Sequence, residues 1–541
     1  MEIATFILLV LLLVAASGII VRFVPVPLPI IQIVLGVAVA WPASGLHVRL
    51  EPEIFLLVFV PPLLFIDGFL VPKREFSELA VPIFGLAFGL VFLTVLVFGY
   101  ALNWLIPAMP LPVAFSLAAV LSPTDAVAVS SIVGRGQVPA RVRHILEGES
   151  LLNDASGLVV FRFAVAAAMT GHFSLGETAL TFVAVTIGGA VSGIAMLWLT
   201  AAVLRFVARI GDIRPEVQVV VMFLLPFAAY LLAERLGASG ILAAVTAGLY
   251  ISQSGVVGSM SIPARMQNFV LVELLSFVFN GAIFLLLGMQ LPEIMRNIPS
   301  ELSISGHPWE PLAAVVILTF ILLAIRYGWM SLGSFVRAVI NKLRGRRSER
   351  LTGRLRIVAT LAGVRGAITL AGILSLPFVL PDGSPLPARN LAIFIAAGVI
   401  LCSLVLASVT LPAIARGIPL EEDDVLANEK RLARMAAAEA AIACIERMVD
   451  ESPDPGLREA REAAARHMIP VYRQRLVAGT VEETPEKDRG PIIEEMHRAA
   501  LQAERAALLK LLNQRKINDT VMRSIISEVT LDEALLALRK K

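Results

Sequence analysis

The sequence predicts an all-α polytopic membrane protein of about thirteen transmembrane helices followed by a helical tail. Three observations carry this. Hydrophobic residues make up 57% of the 541 residues and charged residues only 16%, and the mean hydropathy is +0.81. Apolar runs near the roughly 20 residues that cross a bilayer recur along the chain. At about residue 418 the texture changes to Glu, Arg, Lys and Ala, with no further apolar run.

In order, the candidate spans are 3–24, 28–44, 53–71, 80–106, 110–134, 146–170, 177–206, 215–234, 237–253, 266–291, 309–336, 357–381 and 389–416. The second and ninth are short. The first follows Met1-Glu2 without a basic leader, so it reads as a retained span rather than a signal peptide. The loops sort by charge. One set holds Arg22; Lys73 and Arg74; Arg135, Arg141 and Arg143; Arg209 and Arg214; Arg265; and Arg337, Lys342, Arg344, Arg346, Arg347, Arg350, Arg354 and Arg356. The other holds Arg49, Arg235, Arg296 and Arg389. The basic side faces the cytoplasm, so an odd number of spans places the N-terminus outside and the C-terminus inside. Adding or dropping one span scrambles the separation, which supports thirteen.

The division that follows is a transmembrane domain over 1–418 and a cytoplasmic helical tail over 419–541. In the tail, 426–449 reads as helix and Pro453-Asp454-Pro455-Gly456 as a break. Thr530-Leu531-Asp532-Glu533 has capping-box spacing before a short final helix. The tail reads either as regulatory or as a solubilising, dimer-supporting appendage. The net charge is +3, and no basic surface domain interleaved with aromatics is present, which speaks against nucleic acid. Cys402 and Cys444 are far apart, with neither disulfide nor metal spacing.

Chemistry concentrates where polar residues enter apolar runs, because a charge at membrane depth is costly and marks an ion or proton path by default. The sixth span opens on Gly148-Glu149-Ser150-Leu151-Leu152-Asn153-Asp154. Ser150 and Asp154 share one helix face, as do Glu149 and Asn153. The fifth span carries Ser122-Pro123-Thr124-Asp125. Proline removes a helix hydrogen bond and frees carbonyls, which beside Thr124 and Asp125 can ligate a hard cation such as Na⁺. The other reading is a kink with Asp125 capping the next half-helix. The twelfth span has a matching interruption, Gly363-Val364-Arg365-Gly366, and two interrupted segments in corresponding positions point to a transporter site between inverted repeats. Arg365 needs a partner, for which Glu149 is the candidate; otherwise it snorkels to the interface. Asp67 approaches the path or sits at a span end facing water. Arg162, two turns beyond Asp154, neutralises the outer half of the path or pairs with another acid. Glu273 and Asn280 fit one interhelical hydrogen bond each, and His144 is a solvated loop residue.

The motifs Ser122-Pro123-Thr124-Asp125, Gly148 to Asp154 and Gly363-Val364-Arg365-Gly366-Ala367, in this order and spacing, closely resemble bacterial sodium/proton exchangers of the monovalent cation:proton antiporter-1 family. The resemblance covers residues 1–416, and Lys516-Ile517-Asn518-Asp519 with Leu531-Asp532-Glu533-Ala534 resembles the bacterial branch. It implies two inverted six-helix repeats with crossed broken helices at Asp154. It also implies a dimer domain over 1–72 and 177–291, a mobile core over 80–170 and 309–416, a homodimer, and the bacterial cytoplasmic membrane. By the same resemblance Asp154 carries cation or proton in turn. Asp125, Thr124 and Ser150 coordinate Na⁺ with it, Asn153 supports the site, and Glu149 pairs with Arg365. Family members often carry an acid directly after Pro-Pro-x-x-Phe; here that position is Ile66 and the acid, Asp67, comes one residue later. One step turns a helix by about 100°, so Asp67 is not carried over as a ligand.

The expected function is electroneutral exchange of Na⁺ for H⁺ by competition at Asp154, with no cofactor and with Li⁺ or K⁺ as further candidate cations. A K⁺/H⁺ exchanger of the same architecture is the alternative, and a cation channel a more distant one. An enzyme is disfavoured, since no nucleophile–base, metal-ligand or cofactor motif occurs in the spans.

Overall fold

Proline and glycine set the helix boundaries. A computed structural model describes residues 2–41, 52–133, 138–170, 175–211, 213–296, 310–343, 353–416, 423–478 and 491–538. Its first half runs α1 (Glu2–Ile20), α2 (Leu28–Val39), α3 (Pro52–Leu70), α4 (Lys73–Glu78), α5 (Ala80–Phe84), a π-helical segment (Gly85–Leu90), α6 (Val91–Leu105), α7 (Leu111–Leu121), α8 (Ala126–Ile132) and α9 (Ala140–Thr170). There follow α10 (Leu175–Ile210), α11 (Pro215–Arg235), α12 (Gly240–Ser254), α13 (Val256–Ser259), α14 (Ile262–Arg296), α15 (Glu310–Leu343), α16 (Gly353–Leu361), α17 (Ala367–Leu374) and α18 (Arg389–Ala415). The tail holds α19 (Asp423–Asp450), α20 (Pro455–Ala478), α21 (Pro491–Asn513) and α22 (Asp519–Leu538). Among the described residues the one sheet-like pairing is an isolated bridge between Val379 and Pro385. Arg49, Arg135, Arg344, Arg346, Arg347 and Arg350 of the predicted charged loops lie outside the described residues.

Among the described residues each predicted span overlaps helix, though in the twelfth span residues 375–381 are not helical. Among the described residues seven helices are long and apolar enough to cross a membrane, eight if the bent pair α7 and α8 is one span. The helices at the first, second, third and ninth predicted spans are apolar but shorter. The fifth span breaks where Pro123 predicts, with a 48° bend. The twelfth breaks between α16 and α17. The sixth span starts at Ala140 rather than 146, because the basic turn before it is also helical.

Helices α2 and α14 touch backbone to backbone. A Cβ on Gly36 would lie 2.1 Å from the Leu285 carbonyl oxygen, and one on Gly288 would lie 2.1 Å from that of Ile33. The same device joins α3 to α12, where a Cβ on Gly248 would lie 2.2 Å from the Phe65 carbonyl oxygen. Only glycine lets two helices approach so closely. Around the break in the fifth span, α7, α9 and α18 bury Leu117, Val120, Leu121, Leu151, Ala155, Ile395 and Val399 in one apolar cluster. The π-helical segment packs on α9, and Ser156 donates a 2.5 Å hydrogen bond to the Ala87 carbonyl there.

The tail folds around two clusters of its own. One joins α19, α21 and α22 through Ala433, Ala437, Leu501, Leu508, Val521 and Ile525. The other joins α19, α20 and α21 through Ala441, Ile445, Met468, Tyr472 and Met496. Three- and four-residue spacing of these positions is the amphipathic signature of packed helices. The predicted break at Pro453–Gly456 is present, with Asp454 accepting from the Leu457 amide at 3.2 Å. The predicted short final helix is not: α22 runs unbroken from Asp519, and Thr530 is buried with its hydroxyl taking a 3.1 Å bond from Arg505.

Candidate ion-binding site

The two interruptions meet. The Asp125 amide donates to the Val364 carbonyl at 2.8 Å, so the break in the fifth span is tied to the break in the twelfth. The half-helix ends there carry partial charges, and those of the fifth span each meet a side chain of opposite sign. Asp125 Oδ1 caps the positive end of α8, accepting from the Val127 and Ala128 amides at 2.8 and 3.0 Å. Arg365 Nε donates to the Leu121 carbonyl at the negative end of α7, at 2.8 Å, and its Nη1 to the Gly363 carbonyl. Ser150 Oγ accepts from the Ala126 amide at 3.2 Å. Pro123 rests on Gly157 of α9, where a Cβ would lie 2.5 Å from the proline ring.

A hydrogen-bond chain then fixes the polarity of the site. Arg326, on α15, is 1% exposed. Its Nη2 donates to Glu149 Oε2 at 2.8 Å, its Nη1 pairs with Oε1, and its Nε donates to the Ala359 carbonyl at 2.9 Å. An ion-paired carboxylate only accepts, so the Thr124 hydroxyl donates to Glu149 Oε1, at 3.1 Å. That hydroxyl in turn accepts from Asn153 Nδ2 at 3.0 Å. The Asn153 amide is thereby oriented, and Oδ1 is the atom left over. It is buried and without a hydrogen-bond partner, and a buried polar atom in that condition calls for an explanation such as an ion.

Asp154 follows on the same buried helix, 9% exposed. Among the described residues its carboxylate takes part in no hydrogen bond or ion pair, while Asp125 and Asp67 lie within electrostatic range of it. Asp67, half-buried near the end of α3, also feels Asp125 and Glu147. Carboxylates gathered away from water repel one another unless a proton or cation sits among them. Asp125 Oδ2 has no hydrogen bond among the described residues and faces Gly366, where a Cβ would lie 2.5 Å away. Among the described residues no cluster of three or more His, Cys, Asp or Glu is tight enough to hold a metal by itself. A cation here would therefore draw on amide, hydroxyl and backbone oxygens alongside Asp154 and Asp125.

One expected pairing is wrong. Glu149 does not pair with Arg365; it is engaged by both terminal nitrogens of Arg326. Arg365 instead satisfies its charge on carbonyls that the broken helices leave free. The two glycines flanking Arg365 also have another purpose: a Cβ on Gly363 would come within 2.7 Å of Arg326 Cδ, and one on Gly366 would press on Asp125. Arg326 was the functional residue missed. Its signal was present in the sequence as a lone arginine in the apolar run 309–336, which at membrane depth implies a buried acid. Arg162 has an acidic partner away from the site, Glu234 on α11, with Nη1 3.0 Å from both carboxylate oxygens. Asn280 bonds the Ser276 carbonyl of its own helix at 2.9 Å rather than a neighbour. His144 contacts Glu147 at 3.2 Å.

Asp125→Asn separates the two readings of that residue. Asparagine keeps an oxygen for the cap but removes the charge facing the site. The apparent KM for the cation should rise about tenfold or more, the scale of a lost charged ligand, with little change in melting temperature. An unaltered cation titration would leave Asp125 as a helix cap alone.

The family model described as sodium/hydrogen exchanger, transmembrane, matches residues 8–417, which contain the whole site and exclude the tail. The uncharacterized Na⁺/H⁺ exchanger YjcE of Escherichia coli (strain K12) is 42% identical over 550 residues, spanning 99% of each chain. The sodium, potassium, lithium and rubidium/H⁺ antiporter of Bacillus subtilis (strain 168) is 42% identical over 414 residues, 76% of this chain and 61% of that one. The solved structure of the sodium proton antiporter MjNhaP1 from Methanocaldococcus jannaschii shares the fold at a TM-score of 0.58 and 17% identity, over 77% of this chain and 99% of that one. With its two helix breaks bonded to each other and its buried carboxylates inside the matched stretch, the chain belongs to the sodium/hydrogen exchanger family of membrane cation/proton antiporters.

Proposed function

We propose that the protein exchanges Na⁺ for H⁺ one for one by alternating access, with cation and proton competing for Asp154. The observation that carries this is the chain Arg326–Glu149–Thr124–Asn153, which ends on an unpartnered carbonyl oxygen next in sequence to Asp154. The carboxylate and the amide oxygen suit a desolvated monovalent cation; Asp125, Thr124 and Ser150 complete its surroundings. A site loaded with either ion is close to neutral and crosses, whereas the bare site does not.

The moving parts are a core over about 80–170 and 309–416 and a dimer-forming body over about 1–72 and 177–291. They are built from thirteen spans in two inverted six-helix repeats, with the N-terminus outside and the tail in the cytoplasm of a bacterial cell. The glycine contacts support this division. Among the described residues, every glycine whose Cβ would strike another helix strikes one in the same body, as Gly36 and Gly248 do in one and Gly157 and Gly366 in the other. Helices locked backbone to backbone cannot slide, and among the described residues no such glycine lock crosses the proposed boundary.

Electroneutrality rests on Asn153. An aspartate there would place a second titratable group beside Asp154; with asparagine one carboxylate changes occupancy and the site carries the same charge in both directions. Sodium flux in proteoliposomes clamped at different K⁺/valinomycin potentials without a pH gradient should not follow the potential, once K⁺ is shown not to be a substrate. Accumulation that tracks the potential would sink the one-for-one stoichiometry and point to Asp125 as a second proton carrier. The second reading, K⁺/H⁺ exchange, gains weight from the printed substrate range of the Bacillus subtilis relative. Dye-reported proton movement on addition of Na⁺, K⁺ or Li⁺ decides between them.

A further inference from the structure

The tail lies outside the stretch matched by the family model, yet among the described residues a cluster of its bonds fastens it to one place on the membrane part. That place is the short link between α3 and α5. Helix α22 begins at Asp519, with Asn518 Oδ1 accepting from the Val521 amide at 2.8 Å, and this end of the helix faces the link. Asp519 Oδ2 accepts from the Lys73 amide at 2.8 Å, and its Oδ1 is 3.8 Å from Lys73 Nζ. Arg74 reaches Glu429 of α19 at 2.8 Å, and Glu429 also accepts from the Asn518 amide at 3.0 Å. The Asn518 side-chain amide donates to Glu75 at 3.1 Å. One turn into α22, Arg523 donates to the Phe69 and Leu70 carbonyls at 2.7 and 2.5 Å. Those are the last carbonyls of α3, which lack helical partners and carry the negative end of its dipole.

These contacts are unlike the exposed pairs that contribute little. The side chains of Lys73, Arg74, Glu75, Glu429 and Asp519 are 11–19% exposed. Burial pushes the Lys73 ammonium down to about 8 against the pull of Asp519, so its charge depends on that carboxylate. Helix α22 also rests on α14. The tail therefore joins the link to a helix of the proposed dimer body, and it does so within one turn of Asp67.

We infer that the tail is a clamp on this link: Asn518, Asp519 and Arg523 of α22, with Glu429 of α19, hold Phe69 to Glu75 and slow the exchange cycle while they are seated. The inference rests on the two-body reading above, in which residues 71–79 join the body that moves to the one that does not. A link fixed to a folded bundle that is itself braced on α14 cannot follow the core freely. The effect falls on turnover, since none of these clamp residues bonds Asp154, Asp125 or Asn153.

The test uses the full chain with Cys402→Ser and Cys444→Ser. Asp519→Asn combined with Arg523→Gln unseats the tail; Lys73→Cys combined with Asp519→Cys permits an oxidative lock. Unseating should raise the maximal exchange rate about fivefold or more, the low end of couplings between distinct sites, with the cation KM unchanged. Locking should lower the rate by a similar factor, and a reductant should restore it. A complete crosslink with no change in rate overturns the clamp, and so does an unseated, well-folded variant that is no faster than the parent. Crosslink yield in membranes reads the seating without any transport. A parent chain that crosslinks but moves no protons on cation addition overturns the exchange reading instead, and failure to crosslink at all overturns the seated geometry.

Discussion

Arg326→Met should destabilise the protein by about 3–5 kcal/mol, because it leaves the Glu149 carboxylate buried without its counter-charge. Both side chains are 1% exposed, so water cannot take the place of the lost partner. Glu149→Gln should be costly for the mirror reason, since the guanidinium is then the stranded charge. The double variant should lose less than the sum of the two singles. Melting of the four proteins in detergent gives the coupling, and strict additivity would show that the two groups do not interact. A parallel cycle with Arg365 and Glu149 should give a much smaller coupling, because Arg365 spends its donors on the Leu121 and Gly363 carbonyls. Function should suffer even where folding survives. Without the ion pair nothing fixes the Thr124 hydroxyl, and without that hydroxyl the Asn153 amide is free to turn its nitrogen toward the cation.

Asp154→Asn should abolish cation-driven proton movement while leaving the melting temperature close to that of the parent. The carboxylate makes no hydrogen bond or ion pair among the described residues, so the fold does not lean on it. The amide that replaces it neither takes up a proton nor neutralises a cation. Proteoliposomes containing this variant should give no dye response to Na⁺, K⁺ or Li⁺ at any pH. A response of parental size would remove Asp154 from the mechanism. A silent variant that also fails to fold would be resolved by Asp154→Glu, which keeps the charge and should retain a measurable fraction of exchange.

Much of this site was legible because the chemistry is expensive. Pro123 in an apolar run announced a broken helix, and the bend is there. The polar face of 149–154 announced a buried site, and Glu149, Asn153 and Asp154 are all buried. What failed was the assignment of partners. A sequence says that Arg365 and Glu149 each need a counter-group; it does not say which of several distant segments supplies it. Arg326 was 177 residues from Glu149 and hidden by the apolar residues around it. The choice between cap and ligand for Asp125 was also posed too sharply, since a carboxylate has two oxygens and the cap occupies one. The π-helical segment at Gly85–Leu90 was not foreseen, since its apolar residues continue the pattern of the helices on either side. Thr530-x-x-Glu533 matched a capping box yet lies inside a helix, where burial of Thr530 against Arg505 outweighs a local motif.

The contact between Arg162 and Glu234 has a consequence of its own. In the proposed division it joins the two bodies, Arg162 in one and Glu234 in the other, and the proposed motion would part it on every turnover. Its side chains are 49% and 30% exposed, which keeps its worth to at most about 1 kcal/mol, or about a fivefold tilt between two conformations. On the proposed alternating access, a deeply buried pair at that position would trap the exchanger with one face open, whereas a pair this weak would tilt the resting orientation and still let it go. Salt weakens such pairs further. On the proposed mechanism, the fraction of molecules resting in each orientation is thereby exposed to the ionic strength of the medium that supplies the cation.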